Sequence, residues 1–193
     1  MSTGQPGPLC AEPAIASVCV YCASSSRVAP HFTEAAEELG TLLGQRRLTL
    51  VYGGASVGLM GVLAGAVQRS GGRVVGFIPQ ALRDREIAYE AADELVVTRD
   101  LRERKALMEA RADAFVALPG GLGTLEEVLE VLTLKQLRLH QKPVVFLNTA
   151  GFYDSLLTVF EQLRELHFSK PESRQAYQVA IQPAEVLRLL GHG

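Results

Sequence analysis

Short apolar runs rich in β-branched residues alternate along this chain with longer stretches whose apolar positions recur every three to four residues. The runs Ser17–Ala23, Leu48–Tyr52, Val74–Ile78, Glu94–Val97, Ala114–Leu118 and Val144–Leu147 predict strands. Helices are predicted near Pro30–Arg46, Leu59–Ser70, Leu101–Arg111, Thr124–Leu139 and Phe152–Leu166, with a short one after Pro183. Such alternation builds an α/β fold in which helices cover both faces of a parallel sheet. Residues 80–93 carry no clear period. Residues 1–14 are expected to form a flexible tail ahead of one domain over 15–193.

In this fold class ligands bind beyond the carboxyl ends of the strands. Three loops fall there. The first is Ala23-Ser24-Ser25-Ser26-Arg27, with three hydroxyls and a guanidinium; the second runs from Gly53 and Gly54 to Gly61. The third, Pro119-Gly120-Gly121-Leu122-Gly123-Thr124-Leu125-Glu126-Glu127, leads from a strand into a helix. Its glycines let backbone approach a ligand closely, and the free N–H groups of the new helix favour a phosphate. A pure phosphate cradle gains nothing from Glu126 and Glu127, which the pattern puts in the first helical turn. Phosphate recognition beside acid–base chemistry is the reading that uses both features. The P-loop pattern is absent, and Gly121-Leu122-Gly123-Thr124-Leu125-Glu126 opens like a dinucleotide fingerprint but has glutamate in place of the third glycine.

The helix opening at Leu101 carries Leu101, Lys105, Met108 and Ala112 on one stripe, with Arg104 at its edge. Asp100–Arg104 and Lys105–Glu109 pairs would account for the charges on a solvated face. Because the stripe is apolar, however, Arg104 and Lys105 are expected to point inward and to meet anions there. The Thr124 helix is apolar on two sides: Leu125, Val128, Leu129 and Leu132 on one, Glu127, Val131 and Leu134 nearly opposite. One side can cover the sheet; a second copy of the chain is the simplest cover for the other, which predicts a homodimer.

Composition narrows the partners. A chain of 193 residues with net charge −2, no tryptophan and few aromatics offers neither the field nor the stacking surface for nucleic acid. No apolar run approaches the ~18 residues of a membrane span, and Met1–Pro13 lacks the features of a targeting peptide, so a cytoplasmic location is expected. Cys19 and Cys22, three apart in a strand, should face opposite ways as buried core residues. The four histidines are scattered, and no metal site is expected.

Pro119–Glu127 and Arg104-Lys105-Ala106-Leu107-Met108 together resemble the paired signatures of the LOG family, the cytokinin riboside 5′-monophosphate phosphoribohydrolases. The likeness extends to Val51–Gly61, Asp84–Ile87 and Val18–Ser25. It implies a Rossmann-like, doubly wound fold, usually dimeric, that hydrolyses N6-modified adenosine monophosphates and often AMP without a cofactor. By the same resemblance Arg104 and Glu127 match the catalytic pair, while Glu86, Lys105, Gly121–Glu126 and Thr133 match nucleotide contacts. The glycine and serine loops add Ser24, Gly53, Gly54 and Gly120 as candidate substrate contacts. Ala23, Ala55 and Leu122 depart from the family pattern, which bears on the fit of base and ribose.

The residues suit this chemistry on their own terms. Breaking a ribose C1′–N bond builds positive charge on the sugar, which a carboxylate such as Glu127 stabilises while orienting water. Arg104 either clamps substrate oxygens or holds Glu127 ionised. The competing readings are a non-catalytic nucleotide or cofactor carrier and a pyridoxal-dependent decarboxylase. The decarboxylase would need Lys105, Lys135, Lys142 or Lys170 in a pocket.

Overall fold

The computed structural model describes residues 15–85 and 87–192. Among them seven parallel strands form one sheet: β1 (Ser17–Tyr21), β2 (Thr49–Tyr52), β3 (Arg73–Pro79), β4 (Glu94–Thr98), β5 (Ala114–Ala117), β6 (Val144–Leu147) and β7 (Gln178–Ala180). Their spatial order is β4-β3-β2-β1-β5-β6-β7. The helices are α1 (Pro30–Gln45), α2 (Gly58–Arg69), α3 (Gln80–Arg83), α4 (Leu101–Arg111), α5 (Leu122–Gln136), α6 (Asp154–Glu165) and α7 (Pro183–Leu189), with 3₁₀ turns at Thr149–Gly151 and Pro171–Ala176.

Strand polarity explains the two-layer cover. Alternate residues of β1 face opposite ways, and both directions are apolar: Val18 and Val20 join a core with α1, α2 and α7, while Cys19 and Tyr21 join one with α4, α5 and α6. Cys19 and Cys22 therefore sit on opposite faces of the sheet, both free and buried, and burial pushes both thiols far above the ordinary cysteine range. Strand order reverses between β1 and β5, whose pairing runs from Val18↔Ala114 to Tyr21↔Ala117. That reversal opens a crevice at their carboxyl ends, where open α/β sheets bind ligands.

Three elements differ from the sequence pattern. The seventh strand, β7, is a three-residue edge strand, too short for an alternation to register, and it is held by pairing to β6. Residues 80–93 hold the one-turn α3 and a segment in which Ala88 bridges Ala55. α5 begins at Leu122, so Glu126 and Glu127 lie in its second turn and not its first. Its buried stripe is also different, comprising Thr124, Glu127, Val128, Val131 and Leu132, while Leu129 stays exposed. The 1–14 tail lies outside the described residues.

Candidate active site

The site is assembled by three loop-to-helix junctions around the crevice. Ala23, just past β1, donates its N–H to Pro119 O (3.2 Å) and accepts from Leu59 N (3.0 Å), which ties the first loop to β5 and to the start of α2. Gly58, at φ +59°, makes that approach possible: a Cβ there would lie 2.4 Å from the Ser24 carbonyl carbon. The second loop is pinned from outside, with Ser56 N donating to Ile87 O (2.7 Å) and Tyr89 N to Gly54 O (2.8 Å). Residues 87–89 thereby roof the second loop.

The third junction is built differently. Gly121, the residue before α5, supplies no side-chain cap. The first N–H groups of the helix are thus left without the usual intramolecular acceptor, at its positive dipole end. A Cβ on Gly121 or Gly123 would meet nothing within 4 Å, so bare backbone faces open space. Gly120 serves packing instead, because a Cβ there would lie 2.1 Å from Thr124 Oγ1.

Between these junctions lies a cleft of about 490 Å³. Its lining combines Ser24, Ser25, Gly121, Leu122, Gly123, Thr124 and Glu127 with the apolar Met60, Ile78, Leu82, Ile87, Leu101 and Met108. Arg104 enters from α4, and its Nη2 donates to Glu127 Oε1. Both side chains are nearly buried, 13% and 10% exposed, which distinguishes this pair from the surface ion pairs of the molecule. Arg104 Nε is buried without a hydrogen-bond partner. Burial raises the Glu127 carboxyl above the ordinary glutamate range; Arg104 and Lys105 pull it down, whereas Glu126 and Glu130 push it up.

The neighbouring charges take separate partners. Asp100 does not pair with Arg104 but caps α4, accepting from Arg102 N and Glu103 N, both at 2.9 Å. Lys105 faces α5, where its Nζ meets Glu126 Oε1 and lies 2.6 Å from Glu130 Oε2. The inward expectation for Arg104 and Lys105 therefore holds.

Of the sequence candidates, the structure brings Ser24, Gly53, Arg104, Gly121, Leu122, Gly123, Thr124 and Glu127 to the cleft. Lys105 and Glu126 are engaged with each other beside it. Leu125 packs against the α5-side core, Gly54 is buried in a φ +74° turn, and Gly120 accommodates Thr124. Thr133 is exposed two turns further along α5, its Oγ1 donating to Leu129 O at 2.7 Å. Glu86 lies outside the described residues. The pattern missed Tyr21, Cys22, Met60, Ile78, Leu82, Ile87 and Leu101, which line the cleft. An apolar residue at a strand end or helix start is indistinguishable in sequence from core.

A parallel doubly wound sheet with an uncapped helix start and a buried Arg–Glu pair at its switch point defines a Rossmann-type nucleotide-binding protein with groups for acid–base work. Residues 60–190 match the family model described as possible lysine decarboxylase. The chain is 48% identical over 173 residues to cytokinin riboside 5′-monophosphate phosphoribohydrolase LOG7 of Arabidopsis thaliana, covering 90% of this chain and 80% of the relative. It is 46% identical to the probable LOGL6 enzyme of Oryza sativa subsp. japonica, covering 90% and 69%. The chain belongs to the LOG family of phosphoribohydrolases. Among solved structures, the molybdenum cofactor binding protein of Rippkaea orientalis shares the fold, with a TM-score of 0.71 at 22% identity over 93% of this chain and 98% of that one.

The decarboxylase description does not fit the residues. Pyridoxal chemistry needs a lysine in the cleft, and among the described residues none lines it. Lys105 is held by two glutamates, Lys135 donates to Lys142 O, and Lys142 donates to Glu109 O. No helix among the described residues is long and apolar enough to cross a membrane.

Proposed function

We propose that this chain is a phosphoribohydrolase that cleaves the N-glycosidic bond of N6-modified adenosine 5′-monophosphates, releasing free base and ribose 5-phosphate. The observation that carries the proposal is the buried Arg104–Glu127 pair, set beside a helix start whose N–H groups are free. The names of its close relatives point the same way.

In this reading the phosphate sits on the backbone of residues 121–124, with the ribose held so that C1′ faces Glu127. As the C1′–N bond breaks, its electron pair leaves with the base; the base takes up one proton and the attacking water gives up one as its oxygen bonds to C1′, so the net reaction consumes only water. The Glu127 carboxylate stabilises the cationic sugar and orients the water whose oxygen bonds to C1′. Arg104 holds that carboxylate in place and ionised. The apolar part of the lining, Met60, Ile78, Leu82, Ile87, Leu101 and Met108, suits a purine carrying an aliphatic N6 group, and plain AMP is a further expected substrate.

The second part of the proposal is a homodimer. Leu129 on α5 and Leu163, Leu166 and Phe168 at the end of α6 leave apolar surface exposed around a pocket lined by Leu132, Phe160 and Tyr177. A second copy buries that surface.

Chromatography of the base released from AMP, N6-isopentenyl-AMP, GMP, CMP and the unphosphorylated ribosides tests the reaction. Release from adenine monophosphates but not from ribosides is expected. No release from any of them, with nucleotide binding retained, would replace the enzyme with a carrier.

A further inference from the structure

Gly53 follows β2 directly and is buried at the back of the cleft. A glycine in such a loop is usually taken to let backbone touch a ligand. Gly53 lines the cleft, but the atoms nearest its missing side chain belong to the protein. A Cβ built on Gly53 would lie 2.9 Å from Arg104 Nη1, 3.1 Å from Met60 Sδ and 3.8 Å from Arg104 Cζ. Two of these three nearest atoms belong to one guanidinium, the same one whose Nη2 meets Glu127.

The other loop glycines differ in kind. Gly54 and Gly58 have positive φ, and a Cβ on either would press on backbone, that of residue 77 or of Ser24. Gly61 would press on the Ser56 carbonyl at 2.0 Å. Those three are required by the chain's path. Gly53 has no positive φ and no backbone atom among its nearest neighbours. Its contacts are the movable ends of two side chains.

We propose that Gly53 is a positioning residue, whose missing side chain leaves the space in which the Arg104 guanidinium lies beside the loop and reaches Glu127. The inference rests on the assignment of Arg104 and Glu127 above. It assigns the first glycine of the second loop to the charge pair and not to the substrate. An added methyl group displaces the guanidinium, and Glu127 loses the partner that orients it. Opening the 2.9 Å contact to ordinary van der Waals distance moves the guanidinium by about 0.5 Å; since displacements of about 1 Å in a catalytic constellation cost on the order of 10²-fold in rate, a loss of about tenfold is expected.

The test is a double-mutant cycle of Gly53→Ala and Arg104→Gln, measured as kcat/KM for base release from N6-isopentenyl-AMP. Gly53→Ala is expected to fold with a lowered Tm, because the half-displaced guanidinium no longer fully compensates the buried Glu127 carboxylate. It should lower kcat/KM about tenfold and move the acidic limb of the pH profile upward, in the direction expected for Arg104→Gln. The double variant should be no worse than Arg104→Gln alone, since both changes remove one interaction. Full additivity would overturn the inference and make Gly53 a direct substrate contact. Parent-like activity in Gly53→Ala, or failure of that variant to fold, would overturn it as well. If Arg104→Gln itself leaves kcat/KM unchanged, the assignment of Arg104 fails instead, whatever Gly53→Ala does.

Discussion

Glu127→Gln removes one charge from the centre of the cleft and almost nothing else. Glutamine keeps the length of the side chain and an oxygen that accepts from Arg104 Nη2, so the α4–α5 contact survives. What disappears is the negative charge facing the sugar. A unit charge about 4 Å from a developing cation, at an effective dielectric of ~20, is worth about 4 kcal/mol. The substrate's C1′ is neutral before the bond breaks, so most of that stabilisation belongs to the transition state. Arg104 opposes part of it, while loss of water orientation adds to it. The expected fall in kcat is therefore about 10²–10⁴-fold. Affinity should hardly move, because the proposed function gives the grip on phosphate to the backbone at the start of α5 and not to Glu127.

Turnover is read by chromatography of free base from N6-isopentenyl-AMP, and affinity by calorimetry with the same nucleotide. The pH profile supplies a second readout. Burial raises the Glu127 carboxyl, and the ionised form is the active one, so the parent's kcat/KM should rise with pH through a limb above the ordinary glutamate range. That limb should vanish in the glutamine variant. A kcat within about threefold of the parent, under 1 kcal/mol of barrier, would refute the role given to Glu127.

Three further outcomes test the fold that holds the site. Gly58→Ala forces a β-carbon onto the Ser24 backbone at φ +59°; it should cost at least about 2 kcal/mol and lower Tm by about 4–8 °C in thermal unfolding. Asp113 Oδ2 accepts from Ala16 N, Ser17 N and Ser17 Oγ at 2.7–3.0 Å, and joins the entry of β5 to that of β1. Burial works against its charge, but these bonds win and hold the carboxyl below the ordinary aspartate range. Its contribution is thus present at neutral pH and lost as pH falls through that lowered value. Asp113→Asn should cost about 1 kcal/mol in urea unfolding at pH 7, a difference that closes in acid. Light scattering at micromolar concentration should give twice the chain mass, and Leu129→Glu should halve it; a monomeric parent would refute the dimer.

The alternation of apolar runs and amphipathic stretches was enough to determine a parallel sheet with helices on both faces, because buried strands and covering helices each impose a period on the chain. The third glycine loop was legible for a similar local reason: strand, turn and helix start follow one another within Ala114–Glu127. Even the inward turn of Arg104 and Lys105 could be read, from cations on an apolar stripe. Tertiary structure decided what each of them meets. Arg104 and Glu127 lie 23 residues apart, and only the crossing of α4 and α5 on one face of the sheet makes them a pair. The same packing started α5 early, recruited residues 82 and 87 into the cleft, and gave Gly53 a guanidinium for a neighbour. Those outcomes depend on which surfaces the sheet brings together, and a one-dimensional period carries no information about that.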